Sequence, residues 1–126
     1  MRLEPGFTDD TLASLGENAV ELLRRGEIGT LANRYGYALR CDRDAETAIR
    51  RDLARCLDEV GASTLKQEPS RAVRAVKHFQ PSNSSLVAVV ECEAPAMNEA
   101  VLLVELIVTR SGSEHHLTLE EISAVG

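Results

Sequence analysis

Apolar side chains along this chain recur at helical spacing up to about residue 70 and in strand-like runs beyond it. Thr8 is placed to cap a first helix, Asp9 and Asp10 put negative charge in its first turn, and Phe7 with Leu12 has the spacing of a hydrophobic staple. Leu12, Leu15, Ala19, Leu22 and Leu23 form its apolar stripe, and Arg24-Arg25-Gly26 supplies a basic last turn and a stop. Gly16 is a weak point within it. Ile28, Leu31, Ala32 and Tyr35 predict a second, shorter helix ending at Gly36, so the two make a helical hairpin. A third helix is expected from about Ala45 to Val60, with Ile49, Leu53, Cys56, Leu57 and Val60 on its buried side and Gly61 closing it. Between Gly36 and Asp42, residues 37–41 read as a brief strand or an extended connector.

From Arg71 the pattern predicts four strands, Ala72 to Phe79, Leu86 to Glu93, Ala100 to Thr109 and His115 to Ile122, joined by turn-forming segments as an antiparallel meander. The last segment stays open between strand and short helix, because Thr118-Leu119-Glu120-Glu121 also reads as a capping box. A turn at Ser111-Gly112 pairs Leu106 with Leu117, and a hairpin centred between Ala96 and Met97 pairs Val89 with Val104. On that register the helix-covered face carries Val87, Val89, Leu102, Val104, Leu106, Val108, Leu117 and Leu119, with Glu91 and His115 as its polar members. The other face carries Leu86, Ala88, Val90, Cys92, Val101, Leu103 and Ile107 beside Glu105, His116, Thr118 and Glu120. The helices can cover one face, so the second is expected to bind another copy of the chain.

At 126 residues and 13.7 kDa the chain suits one domain, residues 1–126. The start lacks an apolar signal-like run, and the longest apolar stretch, Ala100 to Val108, is interrupted by Glu105, so a soluble cytoplasmic protein with no membrane association is expected. Cys41, Cys56 and Cys92 have neither disulfide-framework nor zinc spacing and read as free thiols, so no metal and no cofactor is expected. The net charge of −6 arises after Phe79, where seven acidic residues face Arg110 alone. That balance, with no Trp and few aromatic residues, argues against nucleic-acid binding. Arg50, Arg51 and Arg55 read as a solvated helix face.

A helical hairpin, a short strand, a third helix and a long antiparallel meander is an order that resembles the NTF2-like superfamily, the α+β roll that includes SnoaL-like and ketosteroid-isomerase-like proteins. Residues 21–32, ELLRRGEIGTLA, look like that family's passage from first to second helix. The resemblance implies three N-terminal helices packed on a curved four-stranded sheet, with a mostly apolar cavity between them. It would be reached by Glu91 and His115 from the sheet and by Tyr35 and Tyr37 from the helical side. The aromatic-poor composition departs from the commoner members, and no isomerase-type acid, base and oxyanion set can be matched residue by residue.

Three functions follow as expectations. The first is a binding module whose cavity accepts a small apolar molecule or serves as an interaction surface. The second is an isomerase, cyclase or hydrolase using Glu91 and His115 as acid and base, since a desolvated carboxylate on the core face would have a raised pKa. The third is a dimerisation or adaptor domain without a pocket. Whether the chain is an enzyme is left open by the residues themselves.

Overall fold

The structure is a computed structural model describing residues 1–38, 44–68, 71–80 and 85–125, the Val125 side chain excepted. Cys41 and most of the 37–41 connector lie outside the described residues. Helices α1 (Asp9–Arg24), α2 (Ile28–Tyr35) and α3 (Ala45–Glu59) pack on one face of an antiparallel sheet of strands β1 (Val73–His78), β2 (Leu86–Pro95), β3 (Val101–Ser111) and β4 (Glu114–Val125), ordered β1-β2-β3-β4. This is an α+β arrangement. The last segment is strand: Thr118 and Leu119 are consumed by pairing with Ile107 and Leu106, which leaves no helix cap there.

The caps act as their residue types suggest. Thr8 Oγ1 accepts a hydrogen bond from the Thr11 backbone N–H and the Thr11 Oγ1 accepts one from the Thr8 backbone N–H, while Asp44 accepts from Thr47 at the start of α3. Helix α1 lies over β1 and β2, and α3 lies over β4. Gly16 is the point of closest approach. A Cβ there would stand 2.8 Å from Val73 Cγ2 and 3.1 Å from both Cys92 Sγ and Val90 Cγ1. Glu17, one residue on, holds the start of β1 by accepting hydrogen bonds from the Ala72 and Val73 backbones at 2.9 Å.

The register corrects the expected faces of β2. Val90 pairs with Leu106, Cys92 with Val104 and Ala94 with Leu102, and the helix-covered face of β2 therefore bears Ala88, Val90, Cys92 and Ala94, all buried. Val89, Glu91 and Glu93 are half-buried on the outer face, whereas Val87, in the bulge between Leu86 and Ala88, packs against the core as its expected face requires. The cause is the hairpin loop. It spans Met97, Asn98 and Glu99, closed by Ala96 N–H to Ala100 O at 2.7 Å, with Glu99 at φ 72°. The hairpin is centred on Asn98 rather than between Ala96 and Met97, and an offset of one and a half residues reverses the parity of one strand against the other. Asn98 stabilises the loop, its Oδ1 accepting from Ala100 N and its Nδ2 donating to Val60 O.

At the β3–β4 hairpin the two loop residues are Gly112 and Ser113, so Leu117 pairs with Val108 and Leu119 with Leu106. Relative to the expected turn the centre moves by a whole residue. Parity is preserved, and Leu102, Val104, Leu106, Val108, Leu117 and Leu119 face the helices as their spacing predicts. A bulge at Glu120 then brings Ile122 inward as well.

The outer edge of β4 is covered by its own chain. Met1 and Leu3 exchange backbone hydrogen bonds with Leu117 and His115, and Ala38 N–H donates to Leu119 O beside a parallel bridge from Tyr37 to Leu119. Among the described residues no helix is long and apolar enough to cross a membrane.

Candidate functional site

The four residues expected to line one cavity are not brought together. Tyr35 is buried on α2, its hydroxyl 2.7 Å from Leu15 O and 3.0 Å from Asn18 Oδ1. Burial pushes its phenol up to about 12. Tyr37, also buried, donates to Asp52 Oδ2 at 2.6 Å, and burial together with that carboxylate raises its pKa further. Both hydroxyls are thus engaged inside the helical layer.

Glu91 stands on the opposite side of the sheet from His115. Its carboxylate is paired with Lys77 Nζ at 3.0 Å on the outer face. His115 shares the parity of Leu117 and packs its ring edge-on against Phe7, centroids 5.2 Å apart. The expected acid and base are separated by the sheet itself, for the same reason that the β2 parity reverses. Cys92 moves the other way, from the expected outer face into the core. Burial pushes its thiol up to about 12, and burial also raises that of Cys56, so neither is poised as a nucleophile.

Asp52, expected with Asp58 and Glu59 among the acids of a solvated helix face, is instead buried. It is 5% exposed, accepts from Tyr37, and lies 3.2 Å from Arg51 and 3.7 Å from Arg55. The signal is in the spacing, since Asp52 lies three residues after Ile49 and four before Cys56 on the buried stripe of α3. Arg50, Arg51 and Arg55 are exposed on the solvated helix face expected of them, with Arg50 paired to Glu46 and Arg55 to Glu59.

Two surfaces offer themselves to a ligand or partner. The first is a cleft of about 410 Å³ on the helical side, floored by Ile28, Leu53 and Leu57 with Arg50 and Asp58 among its lining residues. The second is the outer sheet face, where half-buried Val89, Val101, Leu103 and Ile107 surround a row of carboxylates. Glu91 pairs directly with Glu105, and Glu105 with Glu121, across β2, β3 and β4. Burial raises the pKa of Glu105, and Glu121, Glu91 and Glu120 raise it further, with Lys77 opposing them. Among the described residues no cluster of His, Cys, Asp or Glu is arranged to hold a metal ion. No family model, curated protein or solved structure matches the chain.

Proposed function

We propose that the chain is an NTF2-like interaction domain with no catalytic role, assembling as a homodimer through the outer face of its sheet. One observation carries this reading. Three helices close over one side of the sheet, while the other side, with Val89, Leu103 and Ile107 at its middle, is left uncovered among the described residues. A sheet face that mixes aliphatic and polar side chains in this way suits contact with a partner. The element order, with Tyr37 adding a parallel bridge beside β4 ahead of the third helix, supports the NTF2-like assignment. The separation of Glu91 from His115 supports a non-catalytic role.

Light scattering on the purified protein tests the assembly. A dimer is expected at roughly tens of micromolar, the range in which a standard-sized interface holds. Leu103→Glu should shift it to monomer, because an unpaired charge would be buried at the centre of the contact. A monomeric unmodified protein at that concentration overturns the proposal.

The helical-side cleft favours a second reading, a small-molecule binder, because its volume falls within the range of ligand sites and it joins an apolar floor to charged groups. A thermal-shift screen of small apolar acids and sterols tests it. Dose-dependent stabilisation that Leu53→Glu abolishes would support this reading.

A further inference from the structure

On the basis of the homodimer proposed above, we infer that the two copies stack face to face with their two-fold axis along the cross-strand row Val89–Ile107–Thr118, so that Glu121 of each copy meets the partner's His116. The argument rests on register and charge. The outer face is laid out in parallel cross-strand rows. Val89, Ile107 and Thr118 form one; Glu91, Glu105 and Glu121 form the next; Glu93, Leu103 and Ser123 form the third. On the other side of the first row, Thr109 pairs with His116.

A face-to-face pair with two-fold symmetry has its axis in the plane between the sheets, and any row lying on that axis meets its own copy. An axis parallel to the strands would lay the glutamate row over itself along its whole length. An axis along the glutamate row does the same. An axis along the third row sets Glu93 against its own copy. Each of these buries like charges against each other, which disfavours the pairing.

The row Val89–Ile107–Thr118 contains no carboxylate. Its one charged end is Lys77 on the edge strand β1, and that ammonium is drawn aside to Glu91. With the axis there, each strand lies across its own copy with its direction reversed. Glu105 then lies over the partner's Thr109, and Glu121 over the partner's His116, twice by symmetry. Val89 and Ile107 form the dry centre. Aligned sheets cross at about 30°, which displaces contacts one strand from the centre by roughly 2–3 Å, within reach of a glutamate side chain. His116 is half-exposed and its only ion-pair partner among the described residues is Glu114, 3.4 Å away. It is therefore open to a second carboxylate.

Single cysteines placed on the Cys41→Ser background, probed with a short bifunctional maleimide, test the axis. Native Cys56 and Cys92 are buried and do not compete. Ile107→Cys and Thr118→Cys should each cross-link to covalent dimer, since an on-axis residue faces itself. Glu121→Cys alone should cross-link poorly, and an equimolar mixture of Glu121→Cys with His116→Cys should cross-link well. His116→Glu should weaken the dimer roughly tenfold, and His116→Glu with Glu121→Lys in one chain should restore it. Efficient self-cross-linking of Glu105→Cys or Leu103→Cys with none at Thr118→Cys overturns this axis while leaving the homodimer in place. A monomer by light scattering instead removes the reading on which the inference rests.

Discussion

Replacing Glu105 by Gln should stabilise the protein at neutral pH and leave it unchanged in acid. Glu105 sits in the middle of the carboxylate row, directly opposite both Glu91 and Glu121. Like charges directly opposite on neighbouring strands each cost about 0.2–1 kcal/mol. Lys77 neutralises much of the field of Glu91, so the pair with Glu121 dominates and the expected gain is about 0.5–1 kcal/mol at pH 7. For a chain of this size that corresponds to roughly 2–5 °C in Tm.

The sign follows from the direction of the pKa shift. Burial and then its acidic neighbours raise Glu105 above its unfolded value, so the folded state favours the protonated form. The stability associated with this group is fully present below the ordinary glutamate pKa of about 4.3 and is lost as pH rises through the folded value. The variant, neutral throughout, does not undergo that loss. Thermal melts by circular dichroism for both proteins, at one protein concentration and at several pH values, should give curves that coincide near pH 4 and separate towards pH 7. High salt should narrow the gap. A Gln variant equally shifted at both pH values, or less stable at neutral pH, would refute the electrostatic account of the row.

Other substitutions probe the core and the buried polar pair. Gly16→Ala improves intrinsic helix propensity by about 1 kcal/mol, yet it should destabilise the protein by about 1–2 kcal/mol net, because the new methyl overlaps the β-branched Val73 and crowds Val90 and Cys92. A chemical-denaturation midpoint that rises would show that α1 can lift from the sheet without penalty. Tyr37→Phe removes a buried donor from Asp52 and should cost about 1.5 kcal/mol, the arginines at 3.2 and 3.7 Å retaining the rest of the carboxylate's compensation; an unchanged midpoint in the same assay would count against that pair. Cys56 and Cys92 should resist maleimide in the native protein and react on unfolding, read site by site by mass spectrometry, and fast native labelling of either would contradict their burial and raised pKa values.

Local physics made much of the architecture legible. Thr8 and Asp44 cap helices through their own side chains, and Gly26 and Gly36 adopt the positive φ that ends a helix, interactions that span a few residues and are written where they act. The inward parity of β3 and β4 was equally legible, because Gly112 marks a two-residue turn and a whole-residue error in its centre leaves the faces alone. The parity of β2 was not. It depends on whether the loop after Pro95 is centred on a residue or on a bond, and that was decided by Glu99 in a left-handed conformation that no glycine announces and by Asn98 reaching across to Val60 O.

The candidate site inherits that asymmetry. Residue types and strand membership place Glu91, Glu105 and Glu121 on a sheet, but only the register aligns them into one row and sends Glu91 away from His115. Likewise the spacing of α3 puts Asp52 on the buried stripe, while its partner Tyr37 comes from a separate segment fifteen residues earlier. The sequence by itself determined the three helices, the first three strands, their order and the acidity of the sheet, since these follow from short-range periodicity and composition, whereas the last segment became a strand only through its pairing with β3. The tertiary structure alone decided which face of β2 is core, which carboxylates meet and which side of the sheet stays open, because each depends on the closure of one hairpin and on contacts between residues far apart along the chain.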